Sequence, residues 1–292
     1  PVRDSELCLL AAPSPAALRE RLQQLHRFVA GQLDRPVGSI SLTDLAVSLH
    51  RRFAREPAGV RLAIVATSLA DLQAKVARAL ERLADPGCRQ LKDPSGLYYT
   101  TAPLAATGQL AFLFPGEGAQ YPLMLADLVW HFPVVRAVFE AMDRVFAGHP
   151  RGYVPSDYLF PRPAADERAW AERHLWQMEG AVEAVVTADL ALLALLRRLG
   201  LRPAAVAGHS SGEYVALAAA GVLDLTSESS CQQLSALLSQ VFQEAVGACD
   251  LPLAAALAVG ADREKATALA QAAGGEVTVA MVNCPHQTVL VG

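Results

Sequence analysis

Short apolar runs and amphipathic stretches alternate along the chain. Residues 6–12, "ELCLLAA", read as a buried strand. "SPAALRERLQQLHRFVAGQ" follows with apolar residues at helical spacing, namely Leu18, Leu22, Leu25, Phe28 and Val29. Ser14 is placed to cap that helix and Pro15 suits its first position. "SLTDLAVSLHRRF" reads as a second amphipathic helix, "VRLAIVA" (60–66) as a strand, and "SLADLQAKVARALERLAD" as a helix capped by Ser68. Turn residues then crowd "DPGCRQLKDPSG" and "TTAPLAATG", which predicts a boundary near 95–108.

A new unit opens with an apolar strand at 110–114 that runs into "PGEGAQ". Helices follow, interrupted by a Pro-, Gly- and charge-rich loop at 147–166. "MEGAVEAVVTADLALLALLRRLG" is apolar almost all round, the pattern of a buried helix. Arg197, Arg198 and Gly200 suit its C-terminus. Pro203 prevents continuation, so "AAVAG" reads as a central parallel strand and "SGEYVALAAAGVL" as the helix after it. The tail reads β-α-β-β: "LPLAAALAV", "DREKATALAQAAG", "VTVAMVN" and "QTVLVG", with "CPH" as a turn. These are four of the six elements of a split βαβ, or ferredoxin-like, unit.

Composition narrows the function classes. Hydrophobic residues are 52% of the 292 and charged residues 18%, enough to bury a sizeable core. With a net charge of −4 and no basic stripe, nucleic acid and anionic membranes are poor partners. No apolar run is long enough for a membrane span, and the start lacks the layout of a signal peptide. The five cysteines (Cys8, Cys88, Cys231, Cys249 and Cys284) are scattered, without metal-binding spacing. Free thiols fit a reducing cytoplasm, and no metal is expected. The first residue is Pro rather than Met, and the last unit stops after four elements. The expectation is a segment of a longer polypeptide, cut short at Gly292.

The candidate chemistry lies between two apolar runs, in Gly208-His209-Ser210-Ser211-Gly212. This fits G-x-S-x-G, in which a serine projects from a sharp strand-to-helix turn. Flanking glycines let the backbone bend and neighbouring elements approach. The helix start points free N–H groups at the serine, where the amide of Ser211 faces a developing oxyanion. The plainer alternative is that Ser210 caps a helix and His209 is a buried, satisfied histidine. A second glycine-rich turn, "FLFPGEGAQY" (112–121), also follows a strand and supplies a second wall of backbone amides, or else is a simple Pro-Gly turn.

Together these motifs resemble the acyltransferase domain of polyketide and fatty acid synthases, the malonyl-CoA:acyl-carrier-protein transacylase family. Its members carry a Gly-Gln-Gly loop after the first strand and a Gly-His-Ser-x-Gly elbow. The "VNCPHQTVLVG" tail resembles the family's ferredoxin-like insert, and residues 1–105 resemble the linker that follows a ketosynthase. The glutamate form of the loop and the "NCPHQ" tail resemble iterative synthases of the enediyne and polyunsaturated fatty acid type. The resemblance implies a doubly wound, parallel-sheet α/β core of hydrolase-like form (106–248), the start of a ferredoxin-like subdomain (249–292) and an N-terminal αβ linker domain (1–105).

For the site, the resemblance implies Ser210 as nucleophile and the backbone amides of Ser211 and Glu117 as oxyanion hole. It implies His209 as a pocket wall that fixes the acyl group, and Gln120 as support for the loop. An acyl group, malonyl with acetyl as the alternative, would pass from CoA through an acyl-serine ester to the phosphopantetheine thiol of an acyl carrier protein, with no bound cofactor. A ketosynthase is expected in the same polypeptide. Three features depart from the pattern. Glu117 stands for the loop glutamine, a change that is tolerable if only its backbone N–H is used but awkward for a charged side chain near an anionic substrate. "TSESSCQQLSALLSQVFQEAVG" contains no Arg or Lys where the family has a carboxylate-binding arginine. The general-base histidine is expected beyond Gly292, and His286, the one histidine after Ser210, lies in the insert turn. An esterase or thioesterase sharing the elbow, and a docking scaffold without catalysis, are the competing readings.

Overall fold

A computed structural model describes residues 4–34, 40–55, 59–104, 107–225, 227–233 and 254–292. The chain forms two compact units, Pro1–Glu228 and Ser229–Gly292.

The first unit begins with a four-stranded antiparallel sheet of β1 (Glu6–Ala12), β2 (Val60–Ala66), β3 (Gln90–Asp93) and β4 (Leu97–Thr100). Its order is β1-β2-β4-β3. The expected helices appear as α1 (Pro15–Leu33), α2 (Leu42–Phe53) and α3 (Leu69–Arg82). Each starts at a serine whose Oγ accepts a backbone N–H one turn in, Ser14 from Ala17, Ser41 from Asp44 and Ser68 from Asp71. Each bond satisfies a donor the helix cannot reach internally. Alternate residues of β2 point inward, so Val60, Leu62, Ile64 and Ala66 meet Leu18, Leu22 and Val29 of α1 and Leu72 and Val76 of α3 in one core. Phe28, placed by spacing on the buried stripe of α1, is instead 44% exposed. The hairpin β3–β4 occupies the stretch expected to be turns, because two four-residue strands with Gly96 at φ +102° between them carry too few apolar positions to show a period. Cys8 is fully buried, and burial, with Glu6 adding to it, pushes its thiol up to about 11. Cys8, Cys88, Cys231 and Cys284 are free, and Cys249 lies outside the described residues.

The rest of this unit supports the candidate site. β5 (Ala111–Phe114) and β6 (Ala205–Gly208) pair in parallel, with Phe114 opposite Gly208. Between them run α4 (Ala126–His131), α5 (Pro133–Phe146), α6 (Pro155–Leu159), α7 (Ala165–Leu175) and α8 (Met178–Arg198). The loop expected at 147–166 therefore contains α6 and the start of α7. Five residues are too few to show helical periodicity, yet Pro155 opens α6 and Asp157 accepts the N–H of Val154 at 3.0 Å. α8 is buried along most of its length, as its pattern predicts, and Gly200 at φ +83° ends it. Ala184, Ala188, Ala191 and Leu195 of α8 pack with Val135, Phe139, Leu159 and Leu175. Leu193 joins a second cluster with Phe112, Phe114 and Val215 under the two strands. Among the described residues β6 pairs with β5, and it alternates between exposed and half-buried positions.

Beside α8 lies a partly buried ion pair. Arg151 forks onto Glu183, Nη1 to Oε1 at 2.6 Å and Nη2 to Oε2 at 2.8 Å, and the Tyr158 hydroxyl donates to Oε2 at 2.7 Å. The guanidinium also faces the rings of Phe146 and Tyr153.

The second unit has the predicted β-α-β-β order, as β7 (Ala256–Val259), α10 (Arg263–Ala272), β8 (Thr278–Cys284) and β9 (Gln287–Val291). Its antiparallel sheet runs β7-β9-β8, and Ala266 and Ala270 of α10 pack with Leu290.

Candidate active site

The site forms where β5 and β6 end side by side. The chain leaves β6 at Gly208, turns through His209 and Ser210, and enters α9 (Gly212–Ala219). Ser210 has φ +54°, a left-handed conformation that costs a non-glycine residue roughly 1–2 kcal/mol. Surrounding contacts hold it there. The N–H of His209 donates to the carbonyl of Phe114 at 3.0 Å, joining the elbow to the end of β5. The N–H of Gly212 donates to the carbonyl of His209 and that of Glu213 to Ser210, both at 3.0 Å, closing the turn into the helix.

Two glycines permit the close approach. A Cβ on Gly116 would lie 2.5 Å from the His209 carbonyl oxygen and 2.7 Å from the Ser210 Cβ. A Cβ on Gly212 would collide with the carbonyl oxygens of Phe114 and Pro115. The two glycine-rich turns are thus packed backbone on backbone, and both strands deliver their turns to one place.

The plainer alternatives for Ser210 and His209 do not hold. Ser211, not Ser210, sits at the N-cap of α9, without a side-chain capping bond. His209 and Ser210 are exposed, whereas Ser211 is buried and its Oγ has no hydrogen-bond partner among the described residues. The Ser210 Oγ donates to Oε2 of Glu117 at 2.6 Å, bridging 93 positions of sequence. Burial pushes the Glu117 carboxyl up, but the Ser210 hydroxyl, its own backbone amide, and the hydroxyl and amide dipoles of Ser211 outweigh this and hold it below the usual range. The sequence reading uses the backbone amide of residue 117 and finds its charged side chain awkward near an anionic substrate, but nothing local in "PGEGAQ" points to the contact with the Ser210 hydroxyl.

Gln120 is buried in the loop. Its Oε1 accepts the N–H of Gly118 at 2.7 Å, and its Nε2 donates to the carbonyl of Leu175 at 3.4 Å, anchoring the loop to the end of α7. Ser210, Ser211, His209, Glu117 and Gln120 all belong to these two turns. His286 lies in the second unit, in the β8–β9 turn. Of the segment expected to carry a carboxylate-binding arginine, only 227–233 are described. Among the described residues, no group of three or more His, Cys, Asp or Glu is placed to hold a metal, and no helix is long and apolar enough to cross a membrane.

Comparison with known proteins gives this arrangement a family. The acyl transferase domain family matches residues 111–292. The highly reducing polyketide synthase poxF of Penicillium oxalicum is 30% identical over 295 residues, covering 100% of this chain and 10% of that protein. The chain spans 10–12% of the length of two curated relatives it matches. Among solved structures, the acyl transferase domain of ZmaA has the same fold, with a TM-score of 0.72 at 21% identity over 100% of this chain and 60% of the other. The malonyl CoA-acyl carrier protein transacylase (fabD) from Coxiella burnetii is 31% identical, with a TM-score of 0.50, over 63% of this chain and 54% of the other. The α/β fold with a ferredoxin-like subdomain, expected from the motifs, is the fold of this chain.

Proposed function

The chain belongs to the acyl transferase domain family, and from that premise we propose that it carries acyl groups on Ser210, from a CoA thioester to the phosphopantetheine thiol of an acyl carrier protein. The observation that carries this reading is the elbow itself. Ser210 is held at φ +54° with its hydroxyl exposed, at the start of α9 and against a second turn of backbone amides. A buried structural serine has no need of that strain.

In this reading Oγ attacks the thioester carbonyl and the amides of Ser211 and Glu117 face the developing oxyanion. Such a donor is worth roughly 2.7–4 kcal/mol of barrier. The C–S bond breaks, CoA leaves as the thiol with the serine proton, and the carrier thiol then takes the acyl group from the ester. His209 flanks the acyl group, and Gln120 keeps the loop in shape. Malonyl-CoA and acetyl-CoA are the two donors carried forward from the sequence. The similarity to polyketide synthases supports a ketosynthase in the same polypeptide, with residues 1–105 as linker, 106–248 as acyltransferase core and 249–292 as ferredoxin-like subdomain. The scattered free thiols support a cytoplasmic location.

The test is the intact mass of the protein after incubation with each donor. An acyl-sized gain that Ser210→Ala abolishes, and that a phosphopantetheinylated carrier protein removes, is the expected result. An adduct that survives in Ser210→Ala would reject Ser210 as nucleophile. Loss of the adduct to water at the same rate with and without carrier would favour an esterase.

A further inference from the structure

We propose that this site has a second activity, hydrolytic release, in which the Glu117 carboxylate acts as general base for a water molecule that cleaves the acyl-Ser210 ester. Acyl groups that no carrier thiol collects then leave as free acids. The proposal rests on the acyl-transfer reading of Ser210.

Oε2 of Glu117 is 2.6 Å from the Ser210 Oγ, so the acyl carbon, one bond from Oγ in the ester, forms beside a carboxylate oxygen. A water that donates to Oε2 at about 2.8 Å can stand about 3–3.5 Å from that carbon, the distance of a near-attack conformer. The loop holds the carboxylate in place. Gly116 is packed on the backbone of His209, Gly118 donates to Gln120, and Gln120 is tied to the carbonyl of Leu175. Acylation itself makes Glu117 the stronger base. Burial pushes its carboxyl up, and the Ser210 hydroxyl leads the contacts that pull it down. An ester oxygen has no proton to donate, so that contact ends when the ester forms, while the effect of burial stays.

The step balances without a further reactant. Water gives a proton to Oε2 as its oxygen bonds to the acyl carbon, and the amides of Ser211 and Glu117 face the oxyanion. The C–Oγ bond then breaks and Oγ takes the proton back from Oε2, leaving a free acid and the serine. Water gains more from this base than a carrier thiol does. A thiol is already partly thiolate near pH 7 and attacks in that form, whereas water, with a pKa of about 15.7, has to lose a proton as it attacks. Transfer therefore outruns release while a carrier thiol is at hand, and release clears the serine when none is.

The experiment loads Ser210 from acetyl-CoA or malonyl-CoA, removes the free thioester, and follows loss of the acyl mass with and without a phosphopantetheinylated carrier protein. Wild type, Glu117→Gln and Glu117→Asp are compared. Gln still accepts the Ser210 hydrogen bond but takes no proton, and Asp keeps the base. The ratio of loss to water over transfer to the carrier should fall about a hundredfold in Glu117→Gln, the low end for general-base catalysis, and Glu117→Asp should recover part of it. Two readouts need wild type alone. Loss to water should slow as pH drops through the carboxylate range, near about 4, and in ¹⁸O-water the label should enter the released acid and not the protein. A ratio unmoved in Glu117→Gln, a wild-type loss to water independent of pH, or label in Glu117, which would mean that its carboxylate attacked the acyl carbon, overturns the proposal while leaving Ser210 as nucleophile. If neither donor acylates Ser210 in any of the three proteins, the acyl-transfer reading fails, and this proposal fails with it.

Discussion

Asp189 offers a quantitative test of the packing around α8. It lies in the middle of that helix, 6% exposed, and its Oδ2 has no hydrogen-bond partner among the described residues. Burial raises its pKa from 3.8 to about 7. Between those values the folded protein holds a proton that the unfolded chain releases, so stability falls as pH rises through this window. Below about 4 both states are protonated and the site is neutral in effect. Above about 7 the penalty is complete, at most about 4 kcal/mol. Asp189→Asn cannot ionise. The variant should therefore match wild type near pH 3.5 and be more stable at pH 8. Urea unfolding followed by tryptophan fluorescence is suited to the measurement, because Trp130, Trp170 and Trp176 all lie in the first unit. With a slope of about 2 kcal/mol per molar urea, the midpoint gap should open from near zero to more than about 1 M across that pH range. A gap independent of pH, or a wild type more stable at pH 8, would refute the reasoning and mean that Asp189 is ionised and compensated.

The remaining predictions concern the pair beside α8 and the elbow. Glu183→Gln removes the charge that holds the Arg151 fork, both side chains being only 11–12% exposed, and should cost about 3–5 kcal/mol. Calorimetry should show the first unit melting roughly 10 °C lower, and a loss below about 1 kcal/mol would show that the pair contributes little. Gly212→Ala places a Cβ against the carbonyl oxygens of Phe114 and Pro115 and must push the elbow off β5. Acylation of Ser210 should fall about a hundredfold, the usual consequence of a misplacement near 1 Å, while the circular dichroism spectrum stays close to that of wild type. Unchanged acylation would mean that the spacing of the two turns is not what positions Ser210.

Where local chemistry decides structure, the sequence was readable. Ser14 and Ser68 each precede an apolar stripe and each caps its helix as read, because a cap needs only the residues of one turn. β2 coincides with its apolar run, and the β-α-β-β order of the tail follows from changes of period alone. The hairpin β3–β4 and helix α6 were hidden because turn residues crowd both stretches and leave too few apolar positions to mark a strand or a helical stripe. Their existence depends on partners, β2 for the hairpin and the α7–α8 packing for α6, and no window of neighbouring residues contains that information.

The same division runs through the site. Its glycines were legible because close approach of two backbones demands the absence of a Cβ, and Gly116 and Gly212 stand where a Cβ would strike the opposite turn. The side chain at 117 obeys no such local rule. Its carboxylate reaches Ser210 across 93 positions, and only the parallel pairing of β5 with β6 brings the two residues together. Once they meet, the Ser210 hydroxyl donates to the Glu117 carboxylate at 2.6 Å, a contact that belongs to the two paired strands together and to neither motif alone.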